Sequence, residues 1–257
     1  MTALTRLANK PLLRDAASAA SPWIRNLGGG GGATDPLLPN VRLNVNFTGT
    51  AGAGNADCVD LSPSPKTLTY MAATDLSATD DAGNNIGQYL KRDTGAISTS
   101  GHTGEWEIGD EDFCIEFFFR KPLLLWNIIH YYVSAGSTAG WYIYIGREPS
   151  ENGELRLIHN AISLGGVRLY DIYTPEQWHH VAITRSGSDL RFFFDGAQQG
   201  AAQTITATLD GNNKELTLNG VIPTLASSSD LDQVRVTIGD ARYTSDFTVP
   251  TEDYPTA

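Results

Sequence analysis

Gln177-Trp178-His179-His180-Val181-Ala182-Ile183-Thr184-Arg185-Ser186-Gly187-Ser188-Asp189-Leu190-Arg191-Phe192-Phe193-Phe194-Asp195-Gly196 is the stretch that decides the fold. Residues 180–185 and 190–194 have strand character and Ser186-Gly187-Ser188 turns between them. Asp195-Gly196 then starts a second reversal, so the stretch reads as a β-meander. In the first run Val181 and Ile183 alternate with His180, Ala182 and Thr184, which gives one apolar and one mixed face. The second run has Phe192, Phe193 and Phe194 in succession, and side chains that alternate between faces are then apolar on both. Such a hairpin needs burial on both sides. The rest of the chain must supply a second sheet to cover it.

A chain of 257 residues suffices for one large β domain or two small ones, and all-β sandwiches reach this size as one unit. Charged residues make up 18% and hydrophobic ones 41%, and 26 glycines accompany many Thr, Ser, Asn and Asp, which favours strands and turns over helices. The net charge of −11 repels a nucleic-acid backbone and an anionic membrane alike, so neither is expected as a partner. No apolar run approaches the length of a bilayer span. Residues 1–22 carry Arg6, Lys10, Arg14 and Asp15 among leucines and alanines and lack the continuous apolar core of a secretory signal, so folding in a cytoplasm is expected. Cys58 and Cys114 are too few for a disulfide framework or a metal site, and a reducing compartment would keep them as thiols; a single bridge is the alternative.

Taken in order, the chain divides into three parts. Residues 1–27 scatter Leu4, Leu7, Leu12, Leu13, Trp23, Ile24 and Leu27 over a segment broken by Pro11 and Pro22, which predicts an extended or partly helical arm rather than a domain. The alternatives are a disordered terminus and an anchoring arm whose apolar residues dock on another subunit. Residues 28–40 open with the pentaglycine Gly28 to Gly32 and read as a linker. Residues 41–257 hold the sandwich. Strands are expected over 41–47, 67–71, 88–90, 113–120, 123–133, 140–145, 154–159, 167–173, 203–209, 215–218 and 233–238 in addition to the meander, with an irregular tail from Gly239. Turn signals recur about every ten residues, the rhythm of a sandwich or jelly roll.

Three segments carry a family likeness. Asp112-Phe113-Cys114-Ile115-Glu116-Phe117-Phe118-Phe119-Arg120, then residues 178–185 and 190–196, resemble the laminin-G-like (LamG) jelly roll of the concanavalin A-like superfamily. Leu231-Asp232-Gln233-Val234-Arg235-Val236, followed by Ala241-Arg242-Tyr243-Thr244-Ser245-Asp246-Phe247-Thr248-Val249-Pro250, is similar to the ending common in LamG-like domains of tailed-phage structural proteins. The likeness spans roughly residues 41–255 and leaves the arm outside. It departs from the simplest pattern at Leu123-Leu124-Leu125-Trp126, where a shorter polar link is usual. The resemblance implies an all-β fold of two antiparallel sheets packed face to face, used for binding or display.

Glucanases of that superfamily place paired carboxylates on one strand face, where alternation lets acid and nucleophile share a cleft. Here Asp110, Glu111 and Asp112 are consecutive and lead into a strand, and Glu116 has no acidic partner on its own strand face, so no catalytic residue is assigned. His179 and His180 are adjacent on a strand, point to opposite faces and cannot ligate one metal ion together without a bulge. No metal site is therefore assigned, and no cofactor is expected. Calcium is the exception kept open, at the oxygen-rich residues 75–85 and 210–213 or at Asp195, against the alternative that these residues form ordinary Asx turns. Carbohydrate recognition needs flat aromatic faces, and alternation puts Tyr142 and Tyr144 together opposite Trp141, Ile143 and Ile145. Trp126, Trp106 and Tyr173 are further glycan candidates, against the alternative that all five are core residues.

These readings favour a non-enzymatic structural protein of a tailed-phage virion, assembled in the host cytoplasm as a capsid decoration, fibre-like or tail-associated subunit. Its expected partners are other capsid or tail proteins and further copies of itself, reached through Leu4, Leu7, Leu12, Leu13, Trp23 and Ile24. The alternative is a carbohydrate-binding adhesion module for host surface glycans.

Overall fold

A computed structural model describes residues 35–47, 58–70, 89–90, 97–99, 104–120, 130–135, 140–146, 154–169, 172–211, 215–221 and 229–256. The arm residues 1–27 and the pentaglycine lie outside these. Among the described residues, fifteen strands form two antiparallel sheets, as the alternation patterns predict. The strands are β1 (Val41–Asn46), β2 (Val59–Asp60), β3 (Leu68–Tyr70), β4 (Ile97–Thr99), β5 (Phe113–Arg120), β6 (His130–Ala135), β7 (Trp141–Gly146), β8 (Glu154–His159), β9 (Ile162–Arg168), β10 (Trp178–Ser186), β11 (Asp189–Phe194), β12 (Ala197–Gln198), β13 (Gln203–Thr204), β14 (Leu216–Val221) and β15 (Asp230–Ile238). One sheet runs β12-β11-β10-β5-β15-β1-β2, with β13 also on β11; the other runs β3-β4-β14-β6-β7-β8-β9.

The sheets meet over a single apolar layer. Leu43, Val45, Phe113, Ile115, Phe117, Phe119, Val181, Ile183, Phe192 and Phe194 face Trp141, Ile143, Ile145, Leu155, Leu157, Leu216 and Leu218. Each fully buried aliphatic or aromatic side chain in this layer stabilises the fold by about 1.5–3 kcal/mol. The meander sits where its phenylalanines require. Val181, Ala182 and Ile183 pair with Phe194, Phe193 and Phe192 in β11, and β10 pairs on its other side with β5. The second sheet covers only one of the two apolar faces. Phe193 points away from it, and it is the tail that buries this residue, through Phe247, Tyr243 and Val249.

Several sequence expectations need correction. The strand expected at 167–173 runs instead from Ile162 to Arg168, straight through Gly165 and Gly166, because both glycines lie against neighbours that leave no room for a side chain. A Cβ on Gly165 would come within 2.5 Å of Gln203 Oε1. The strand expected at 203–209 shrinks to Gln203–Thr204, and that at 88–90 to a single bridge between Leu90 and Leu231. Ile97–Thr99 and Val59–Asp60, outside the strands expected from the sequence, are strands. Of 123–133, residues 130–133 belong to β6 and the rest lie outside the described residues. Residues 35–40, assigned to the linker, pack on the sandwich as a turn and a 3-10 segment with Leu37 buried. Cys58 and Cys114 are buried free thiols.

Candidate functional site

The eight-stranded sheet has an outer face that is polar in sequence and sealed in structure. Alternation puts Glu116 and Phe118 of β5, His180 and Thr184 of β10 and Arg235 of β15 on this face, and residues 240–256 lie across it as a strap. Glu116 is at the centre, 0% exposed. Its Oε1 accepts from Arg235 Nε at 2.9 Å, and its Oε2 accepts from the Tyr243 hydroxyl at 2.9 Å. His180 Nε2 lies 3.3 Å from Oε2 and 3.2 Å from the Tyr254 hydroxyl. The Arg235 guanidinium also stacks 3.9 Å from the centre of the Tyr254 ring. Arg242 donates through Nε to Thr237 Oγ1 at 2.7 Å. Its Nη2 meets Asp35 Oδ2 at 2.7 Å, an ion pair rather than a well-directed hydrogen bond.

Electrostatics follows from this packing. Burial alone would push the Glu116 carboxyl up, but the charge of Arg235, the hydrogen bond and charge of His180 and the charge of Arg242 outweigh it and hold the group well below the ordinary carboxylate range. Burial, with Glu116 adding to it, pushes the Cys114 thiol and the Tyr243 and Tyr254 hydroxyls up, so none ionises near neutrality. A carboxylate so fixed is an anion at neutral pH. It is the counter-ion of Arg235 and Arg242.

The adjacent histidines diverge as alternation predicts. His179 points inward, its ring 4.7 Å from Phe194 and 5.0 Å from Tyr173, with Nδ1 2.8 Å from Asp195 Oδ2. His180 points outward between Phe118 and Phe247. No group of three or more His, Cys, Asp or Glu that could hold a metal ion occurs among the described residues. Asp195 also accepts from the His180 backbone N–H, at 2.9 Å, which makes it a turn carboxylate. The acids leading into β5 act likewise: Glu107 accepts from the Gly211 N–H, Asp110 from the Thr208 hydroxyl and Asp112 from the Gly187 N–H. Asp210 lies 3.5 Å from His159 Nε2. Residues 75–85 lie outside the described residues.

The aromatic candidates do not form one platform. Tyr142 and Tyr144 share the outer face of the seven-stranded sheet, but they are 8% and 4% exposed and pack with Ile158. Trp106 is in the core, where its carbonyl accepts from Trp141 Nε1 at 2.8 Å. Tyr173 is half-buried and stacks on Phe119 with ring centres 5.9 Å apart. Trp126 and the six arm residues Leu4, Leu7, Leu12, Leu13, Trp23 and Ile24 lie outside the described residues. Sequence reasoning missed the strap network. The signal was present in Arg235, Arg242, Tyr243 and Phe247, the residues that carried the resemblance.

The family model of the concanavalin A-like lectin/glucanases superfamily matches residues 91–238, more than half of the chain. The chain belongs to that superfamily. No curated protein sequence matches it. Among solved structures, the binding domain of Paraclostridial mosquitocidal protein 1 superposes with a TM-score of 0.55 at 16% identity, covering 84% of this chain and 51% of that one. The binding domain of botulinum neurotoxin DC, in complex with SialylT, gives 0.54 at 12%, covering 80% and 49%. Domain 4 of a GH43 extracellular arabinanase from Geobacillus stearothermophilus, in complex with arabinotriose, gives 0.53 at 12%, covering 79% and 94%. The chain thus spans about half the length of the toxin binding domains and nearly all of the arabinanase domain. At these identities the likeness is one of fold.

Proposed function

We propose that this chain is a non-catalytic binding module that recognises surface glycans and is displayed on a tailed-phage particle through its N-terminal arm. The observation that carries the non-catalytic reading is Glu116. The acid that sequence and fold together put at the centre of a sheet face is sunk beneath the strap and held ionised by two arginines, so it has neither access to substrate nor a proton to give. Glycan recognition is supported by similar folds solved in complex with arabinotriose and with SialylT. The phage setting is supported by the resemblance of residues 231–250 to the ending of phage LamG-like domains. Of that segment, residues 231–238 belong to β15 and residues 240–250 begin the strap.

A glycan array probed with the labelled full chain tests the ligand, a reducing-end assay on every bound polysaccharide tests the absence of catalysis, and gold-labelled antibody on purified particles tests the setting. Binding without release of sugar, and label on the head or tail, are expected. Released sugar would overturn the non-catalytic reading, an array without signal the glycan reading, and unlabelled particles the display reading.

A further inference from the structure

One nitrogen of His179 stands between a donor and an acceptor of the same residue. The side chain is buried, and its Nδ1 meets Asp195 Oδ2 at 2.8 Å. Its Nε2 lies 2.9 Å from the Thr174 carbonyl oxygen and also 3.2 Å from the Thr174 nitrogen, whose N–H is aimed at it. The ring can serve one of these groups and not the other. When neutral, with its proton on Nδ1 for Asp195, it accepts at Nε2 from the Thr174 N–H. When charged, it donates at Nε2 to the Thr174 carbonyl, and the N–H loses its acceptor. Nδ1 donates to Asp195 in both states.

Thr174 begins the exposed turn 174–177 on the crossing from β9, in the seven-stranded sheet, to β10, in the eight-stranded one. The crossing is anchored just before this turn, where the Tyr173 N–H donates to the Leu169 carbonyl at 2.8 Å. Within the turn Pro175 has no N–H to give, and the Gln177 N–H reaches the Thr174 carbonyl at 3.4 Å, so Nε2 is the nearer partner of that carbonyl. Glu176 takes φ of 60°, a conformation that a side chain resists and that its tethers must hold. Around the ring, β5 presents Phe119, β11 presents Phe194 and the crossing presents Tyr173. Asp195 is the charged group that pairs with His179 among the described residues, and Glu176 is the other acid of the turn. Asp195 is 47% exposed, which brings solvent to the pair.

We propose that His179 is a proton-operated latch on turn 174–177. Gain of one proton moves Nε2 from the Thr174 N–H to the Thr174 carbonyl and makes both bonds of the ring charge-assisted, so acid tightens the turn against the Asp195 corner. Ile172 beside the turn is exposed as well, so the latch sets the shape of a surface open to other molecules. The latch is independent of what the chain binds.

The test is nuclear magnetic resonance of the labelled full chain from pH 8 to pH 5, the range in which histidines change charge, following the His179 ring and the Thr174 amide together. Both are expected to change with one midpoint. The Thr174 amide proton should move upfield as it loses Nε2, and its protection from exchange, corrected for the intrinsic rate, should fall about tenfold. In His179→Gln the Thr174 amide should not respond to pH over this range. Asp195→Asn alters a half-exposed residue whose left-handed φ of 49° asparagine tolerates, and there the ring should change charge at more acid pH, because the imidazolium has lost its counter-charge. A ring that keeps one charge throughout, or a Thr174 amide that does not follow it, would overturn the latch. So would a Thr174 response that survives in His179→Gln, or a ring that titrates in Asp195→Asn as in the parent.

Discussion

At the scale of single residues, Glu116 shows how little of a side chain's role its type determines. The sequence offers Glu116 no acidic partner on its strand face and so no catalytic role; in the fold it is a buried anion among Arg235, Arg242, His180 and Tyr243. Removing one partner of a buried ion pair leaves the other uncompensated, so Glu116→Ala should destabilise by about 3–5 kcal/mol in urea unfolding. The acid is held below its ordinary value, so its contribution is complete above pH ~4.5 and is lost as pH falls through and below that value. Wild-type stability should therefore drop more steeply below pH ~4.5 than that of Glu116→Gln, which a urea series at pH 3 to 7 measures. Gly196 is constrained by geometry instead. Its φ is +79°, its carbonyl accepts from the Phe247 N–H at 2.9 Å, and a Cβ would lie 2.2 Å from Phe247 O. Gly196→Ala should cost about 2–3 kcal/mol, and an unchanged urea midpoint would refute the close approach of meander and strap.

At the scale of elements, the strap and one side chain do what the sheets leave undone. Tyr243 stacks on Phe247 with ring centres 3.6 Å apart, and the pair covers Phe193. Asp246 accepts from the Gln198 N–H at 2.8 Å, and the Tyr243 carbonyl from Thr184 Oγ1 at 2.8 Å. Truncation after Asp240 would bare Phe118, Phe193 and the Glu116 network together, and the product should be insoluble or bind a hydrophobic dye strongly. On the other flank the edge strand β9 is closed by an amide that imitates a strand: Gln203 Nε2 donates to Gly166 O at 2.9 Å and Gly166 N–H to Gln203 Oε1 at 3.1 Å. Because β13 pairs with β11, this clasp joins the two sheets. Gln203→Ala should cost about 1–2 kcal/mol and raise the rate of aggregation on incubation, since it frees an edge for pairing with another copy.

At the scale of the whole molecule, Asp35 ties residues 35–40 to the sandwich: its carboxylate is clamped by Arg242 and lies 3.6 Å from Arg235. Deleting residues 1–32 should leave the melting temperature within about 2 °C of the full chain and, on the display proposal, abolish association with particles. Deleting residues 1–36 removes the clamp and should lower melting by several degrees, at about 2–4 °C per kcal/mol for a chain of this size. Residues and periodicity alone determined the meander, the two-sheet architecture, the divergence of His179 from His180, and the opposite faces of Trp141 and Tyr142. Each of these follows from the period of two along a strand, which is local and needs no partner to be known. The tertiary structure alone decided what covers each face. Phe193 and Glu116 are buried by a tail that reads as irregular, because its hydrogen bonds run to side chains and turns rather than along a ladder. Gly165 and Gly166 fall outside the strands expected from the sequence and yet lie within one, where they meet Gln203 from the other sheet. Asn46 and Gln233 stand side by side only because the first strand pairs with the last, and the 187 positions that separate them hide that proximity from any local reading of the chain.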